Sequence, residues 1–65
     1  MEITVNGERQ NSAPGTIADF LRSRGLAPEG LVVEHNREVV APKRWADTAL
    51  AENDELEILS FVGGG

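Results

Sequence analysis

The chain has 65 residues, no cysteine, and eleven acidic against six basic side chains, a net charge of -5. That length holds one small domain, burying only about 60% of the surface its unfolded chain exposes; a substrate pocket walled on all sides, and so an independent enzyme, is not expected. Lack of cysteine excludes disulfides and thiolate metal sites, and the acidic balance makes for a poor nucleic-acid binder and argues against attachment to anionic membranes.

Met1, Ile3 and Val5 alternate with Glu2, Thr4 and Asn6, the pattern of a half-buried strand. Asn6-Gly7 is the strongest short hairpin signal, and Glu8 to Ser12 reads as a polar return strand suited to an exposed edge. Ala13-Pro14-Gly15 breaks that strand. Thr16 is a helix N-cap with Asp19 three residues on, and Ile17, Phe20 and Leu21 lie on one helical face. Gly25 followed by Leu26 marks the C-terminal cap, and Pro28 prevents continuation, so a short helix is predicted over about Thr16 to Arg24.

Leu31-Val32-Val33 opens a strand that continues into Glu34 and His35. Asn36-Arg37 is a tight turn, and Glu38 to Ala41 returns and ends at Pro42. Lys43 to Leu50 reads as a turn of helix and loop, with Trp45 and Leu50 as core plugs, and Glu52-Asn53-Asp54 as a loop. Glu55 to Val62 is the final strand. Leu56, Ile58, Ser60 and Val62 share one face; Glu57, Leu59 and Phe61 share the other. Strands before and after one helix predict an α+β domain around a single core.

The chain closes on Gly63-Gly64-Gly65. At an average glycine usage of about 7%, a chance Gly-Gly ending occurs in roughly 0.5% of chains, so the run asks for a reason. Glycine has no Cβ, so such a tail is thin and can thread a narrow channel to deliver a terminal carboxylate. A carboxylate is a poor electrophile until it is joined to a leaving group such as AMP; a sulfur nucleophile can then displace AMP and leave a thiocarboxylate. The reading is a folded domain over 1–62 and a flexible glycine tail over 63–65.

The matching pieces of a known family run through most of the chain. They are Asn6-Gly7, Thr16-Ile17-Ala18-Asp19-Phe20-Leu21, Val33-Glu34-His35-Asn36-Arg37-Glu38-Val39-Val40, Trp45, Asn53-Asp54-Glu55-Leu56-Glu57-Ile58, and Phe61-Val62-Gly63-Gly64-Gly65. On these the sequence resembles the thiamine-biosynthesis sulfur carrier proteins, the ThiS family. Ala41 between Val40 and Pro42 departs from the family pattern, a shift confined to one loop. The resemblance implies an α+β, ubiquitin-like β-grasp fold: a mixed sheet of four to five strands, one main helix on one face, and the first and last strands parallel in its middle. It implies that Gly65 is the residue adenylated and converted to a thiocarboxylate, with Gly63 and Gly64 giving access.

The implied partners are an E1-like adenylyltransferase of the ThiF type using ATP and magnesium, a sulfur-donating persulfide protein, and a thiazole synthase of the ThiG type. The protein itself would bind no cofactor and act as co-substrate rather than catalyst. A molybdopterin-synthase-type carrier subunit, a protein modifier forming isopeptide bonds, and a non-covalent β-grasp interaction domain are the rivals.

Leu59 and Phe61, with Val62 beside the tail, form the expected docking surface, exposed if the helix covers the opposite face. His35, the single histidine, reads as structural, since no Ser or Cys nucleophile pairs with it. Trp45 reads as a core or rim plug. Lys43-Arg44 and the acidic run Glu52 to Glu57 read as solvated, the latter with the option of facing a basic partner. No apolar run nears the roughly 20 residues that span a bilayer. Met1-Glu2-Ile3-Thr4 lacks a secretory signal's basic-then-apolar pattern, so a cytoplasmic monomer is expected.

Overall fold

The computed structural model describes residues 1–61. Their order is β1 (Glu2–Val5), β2 (Glu8–Asn11), α1 (Ile17–Ser23), β3 (Leu31–His35), β4 (Glu38–Val40), a 3₁₀ helix (Pro42–Asp47) and β5 (Glu55–Ser60). The five strands form one sheet in the order β2-β1-β5-β3-β4. β1 and β5 are parallel; the other neighbours are antiparallel. The last strand is therefore the centre of the sheet, flanked by two hairpins contributed by the two halves of the chain.

Local chemistry sets the element ends. The Thr16 hydroxyl accepts from the Asp19 N–H, and the Asp19 carboxylate accepts from the Thr16 N–H, a complete capping box. At the other end Gly25 takes a φ of 69°. Its N–H donates to the Arg22 carbonyl, and the Leu26 N–H donates to the Leu21 carbonyl, the paired bonds of a Schellman motif. The β1–β2 hairpin turns on Asn6 (φ 49°) and Gly7 (φ 85°), and the β3–β4 hairpin on Asn36 (φ 51°) and Arg37 (φ 72°). Positive φ at both central positions matches the right-handed twist of the strands.

One face of the sheet and the helix enclose the core. Ile3, Val5, Val33 and Leu56 from the sheet meet Ile17, Phe20 and Leu21 from α1, with Trp45 and Leu50 closing the side. The Trp45 ring is buried and its Nε1–H donates to the Val40 carbonyl at 2.9 Å, which satisfies the one polar atom on the plug. Two hydrogen bonds tie the segment after the 3₁₀ helix to the start of α1: Ile17 N–H to the Thr48 carbonyl and Leu50 N–H to the Gly15 carbonyl.

Element boundaries differ from the sequence reading at several ends. The helical turn begins at Pro42 rather than within Lys43–Leu50, because proline is pre-set for a first helical position. β2 ends at Asn11, yet the Ser12 N–H still donates to the Met1 carbonyl and the Met1 ammonium donates to the Ser12 carbonyl. β4 ends at Val40, not Ala41. β5 ends at Ser60, although the Phe61 N–H still donates to the Gly30 carbonyl. Val62 and the expected tail, Gly63 to Gly65, lie outside the described residues.

Candidate functional site

In sequence, the segment that ends in Gly63-Gly64-Gly65 follows directly on the central strand. What holds β5 determines how firmly that segment's base is placed. On one side β5 pairs with β3 over five residues, from His35↔Leu56 to Leu31↔Ser60. On the other side β1 supplies only Thr4↔Glu55 and Val5↔Leu56 before the chain turns away at Asn6.

The Asn6 side chain makes up part of the difference. Its Oδ1 accepts from the Ile58 N–H at 2.7 Å, and its Nδ2 donates to the Ile58 carbonyl at 3.3 Å. The backbone N–H of Asn6 donates to the Leu56 carbonyl at 2.9 Å. A side-chain amide thus stands in for a peptide unit and carries the ladder one step toward Ser60.

Asn36 does the same at the start of β5. Its Oδ1 accepts from the Glu55 N–H, its backbone N–H donates to the Glu55 carbonyl, and its Nδ2 donates to Asp54 Oδ1 at 3.1 Å. Asp54 also accepts from His35 Nε2 at 2.7 Å and from the Ala51 N–H at 2.8 Å. Burial pushes the Asp54 carboxyl up, but these donors outweigh it and hold the group below its ordinary value. The cluster fastens the β3–β4 turn to the entry of β5; His35 is accordingly structural.

The two faces of β5 are chemically distinct. Leu56 and Ile58 lie toward α1, Leu56 fully buried and Ile58 packed on the core. Leu59 (44% exposed) and Phe61 (69%) lie on the helix-free face, with Val39 (68%) two strands away. Val32 is directly across from Leu59, and next along the ladder Glu34 faces Glu57. Two like charges directly opposite each other oppose pairing. Neither has an ion-pair partner among the described residues. This surface is an apolar strip edged by unneutralised acid. The loop over Lys43 to Leu50 does not cover it, since Trp45 and Leu50 are spent on the core.

Among the described residues no group of three or more His, Asp or Glu side chains is placed to hold a metal ion, and no helix is long and apolar enough to cross a membrane. Lys43 and Arg44 line an open depression beside β4, distant in the ladder from the β5 exit.

The family model that matches this chain is that of the ThiS family, over residues 2–65. The chain belongs to the ThiS family. Sulfur carrier protein ThiS of Bacillus subtilis is 41% identical over 51 residues, 78% of this chain and 77% of that protein. The crystal structure of the thiamine biosynthesis protein (ThiS) from Geobacter metallireducens superposes with a TM-score of 0.85 at 30% identity, covering all of both chains. The β-grasp architecture read from the family resemblance is thus that of a solved ThiS protein. A thiazole synthase of Magnetococcus marinus is 39% identical over 66 residues, covering the whole of this chain but only 20% of that protein. This ThiS chain therefore spans about a fifth of the length of the thiazole synthases it matches.

The asparagines that fasten β5, and Asp54 behind one of them, were not anticipated as site residues. In the sequence Asn6 and Asn36 read as turn formers within family-matching segments, and Asp54 as part of a solvated acidic loop. Their signal was a pair of Asn-initiated hairpin turns, each capable of spending its side chain on a third strand.

Proposed function

We propose that this ThiS chain is the sulfur carrier for thiazole formation in thiamine biosynthesis, acting as a co-substrate of partner enzymes, with Gly65 as the residue modified. The observation that carries the reading is family membership over nearly the whole chain, including the glycine run that follows the central strand. The Gly65 carboxylate attacks the α-phosphorus of ATP on an E1-like, magnesium-using adenylyltransferase and releases pyrophosphate. A persulfide sulfur then attacks the acyl carbon, AMP departs, and a thiol cleaves the resulting S–S bond to leave the thiocarboxylate. Thiazole synthase takes that sulfur. Support for this last partner is the thiazole synthase that contains a region matching the whole of this chain.

In this reading Gly63 and Gly64 give access, and Leu59 and Phe61, with Val62, meet the partner, whose complementary surface is apolar with a basic rim toward Glu34 and Glu57. The test is intact-mass measurement after incubation with the adenylyltransferase, ATP, magnesium and a persulfide donor. Exchange of one oxygen for sulfur on the wild type, lost on deletion of Gly65, is expected; no adenylate and no thiocarboxylate would refute it. Thiocarboxylate that supports molybdopterin but not thiazole formation would move the protein to the rival pathway. Leu59→Arg is expected to weaken partner binding with the melting temperature retained; unchanged affinity removes the docking role.

A further inference from the structure

A second surface feature lies on the opposite side of β5, between its last residue and the C-terminal end of α1. In the β3–β5 ladder the bonded pairs are those of the odd-numbered β5 residues, as the Glu55 and Phe61 bonds show. The N–H and C=O of Leu56, Ile58 and Ser60 therefore point the other way. Leu56 and Ile58 are answered there by the Asn6 backbone and side chain. Ser60 is not: β1 has already turned at Asn6-Gly7, and among the described residues nothing continues the ladder.

An open groove of about 270 Å³ lies along this gap, with Phe20, Leu26, Leu31 and Ile58 as an apolar floor and Gln10 and Ser60 among its polar lining. The Gln10 Oε1 atom is buried and has no hydrogen-bond partner. Its volume falls below the roughly 300–1,000 Å³ of sites that enclose small molecules, and suits one or two apolar side chains. The groove thus presents one unpaired backbone unit beside an apolar floor, the needs of an added strand.

Chain length says whose strand it is. Gly65 is four residues beyond the last described residue, Phe61, and four residues fully extended span at most about 14 Å. An enzyme holding Gly65 in its active site must therefore lie against the Ser60 end of the body. We propose that the groove receives an extended segment of the enzyme that adenylates Gly65. This segment bonds the Ser60 N–H and C=O and drops an apolar side chain onto the Phe20–Leu26 floor. The inference rests on the carrier reading above, and deepens it by giving the activating enzyme a strand-pairing contact.

Amide hydrogen exchange on the intact carrier, alone and bound to its adenylyltransferase with ATP, reads the contact directly. Ser60 exchanges fast in the free protein and slows at least tenfold in the complex. Ser60→Pro, which removes the N–H without touching a bond of the ladder, lowers kcat/KM for adenylation by about 3- to 10-fold. Ser60→Ala, which keeps the N–H, loses less. Ser60 already slow in the free protein means the chain's own residues cover the edge, and overturns the proposal. So does unchanged Ser60 exchange in a complex that forms adenylate. Failure of the wild type to form adenylate at all overturns the carrier reading and the groove contact together, which separates the two failures.

Discussion

Asn6→Gly isolates what the side-chain amide contributes at the base of the tail. Glycine keeps the positive φ of the turn open, so the hairpin can still form and the principal loss is the pair of bonds to Ile58. Each is worth about 0.5–1.5 kcal/mol net, giving roughly 1–3 kcal/mol together. A domain this size has a stability of roughly 3–10 kcal/mol, so the loss is a sizeable fraction. At about 4–8 °C per kcal/mol, the melting temperature should fall by roughly 5–20 °C. Thermal unfolding by circular dichroism measures the drop, and hydrogen exchange locates it. Protection at the Ile58 amide should collapse while amides bonded to β3, such as Glu57, change only with global stability. Asn6→Asp keeps the 2.7 Å acceptor but loses the donor, and should fall between glycine and wild type. A glycine variant that melts within about 2 °C of wild type, with Ile58 still protected, would refute the peptide-mimic role.

Three further outcomes follow from the same structure. Asp54 has a lowered folded-state pKa, so its contribution is present above the ordinary value of 3.8 and is lost as pH falls through the folded value. A carboxyl-resolved NMR titration should place its midpoint below 3.8, and a midpoint at or above that value contradicts the His35–Ala51–Asn36 donor set. Leu56→Ala removes a fully buried side chain at the sheet centre and should cost about 2–5 kcal/mol, lowering the melting temperature by roughly 10 °C or more; a melting temperature close to wild type would show that the core collapses around the gap. Trp45→Phe keeps most of the buried ring but loses the Nε1 bond, stranding the Val40 carbonyl, and should cost about 1–3 kcal/mol in urea unfolding; no change would mean water replaces the donor.

The parts of this fold that were legible in the sequence are those written within a few residues. The capping box joins Thr16 to Asp19, the Schellman motif needs Gly25, and Asn6-Gly7 announces its hairpin. Alternation in Glu55–Phe61 correctly separated the Leu56–Ile58 face from the Leu59–Phe61 face. Strand order was not legible from pattern, because β1 and β5 meet across some fifty positions and periodicity carries no information on partners; family resemblance supplied it. Asp54 and Asn36 escaped for the same reason. An Asp in an acidic loop looks solvated until a turn eighteen residues earlier folds onto it. The chemistry of the tail, by contrast, is a property of composition and order, and needed no fold to suggest it.

The central position of β5 has a consequence for the order in which the molecule becomes recognisable. During synthesis the β1–β2 hairpin, the helix and the β3–β4 hairpin all emerge before the strand that joins them. Until residues 55–60 are made, the two hairpins share no ladder and the core lacks Leu56. A chain cut short before Ser60 therefore offers a partner no finished surface. An enzyme that selects the folded body thereby selects chains already synthesised through Ser60, so that shape itself reports completion of the central strand.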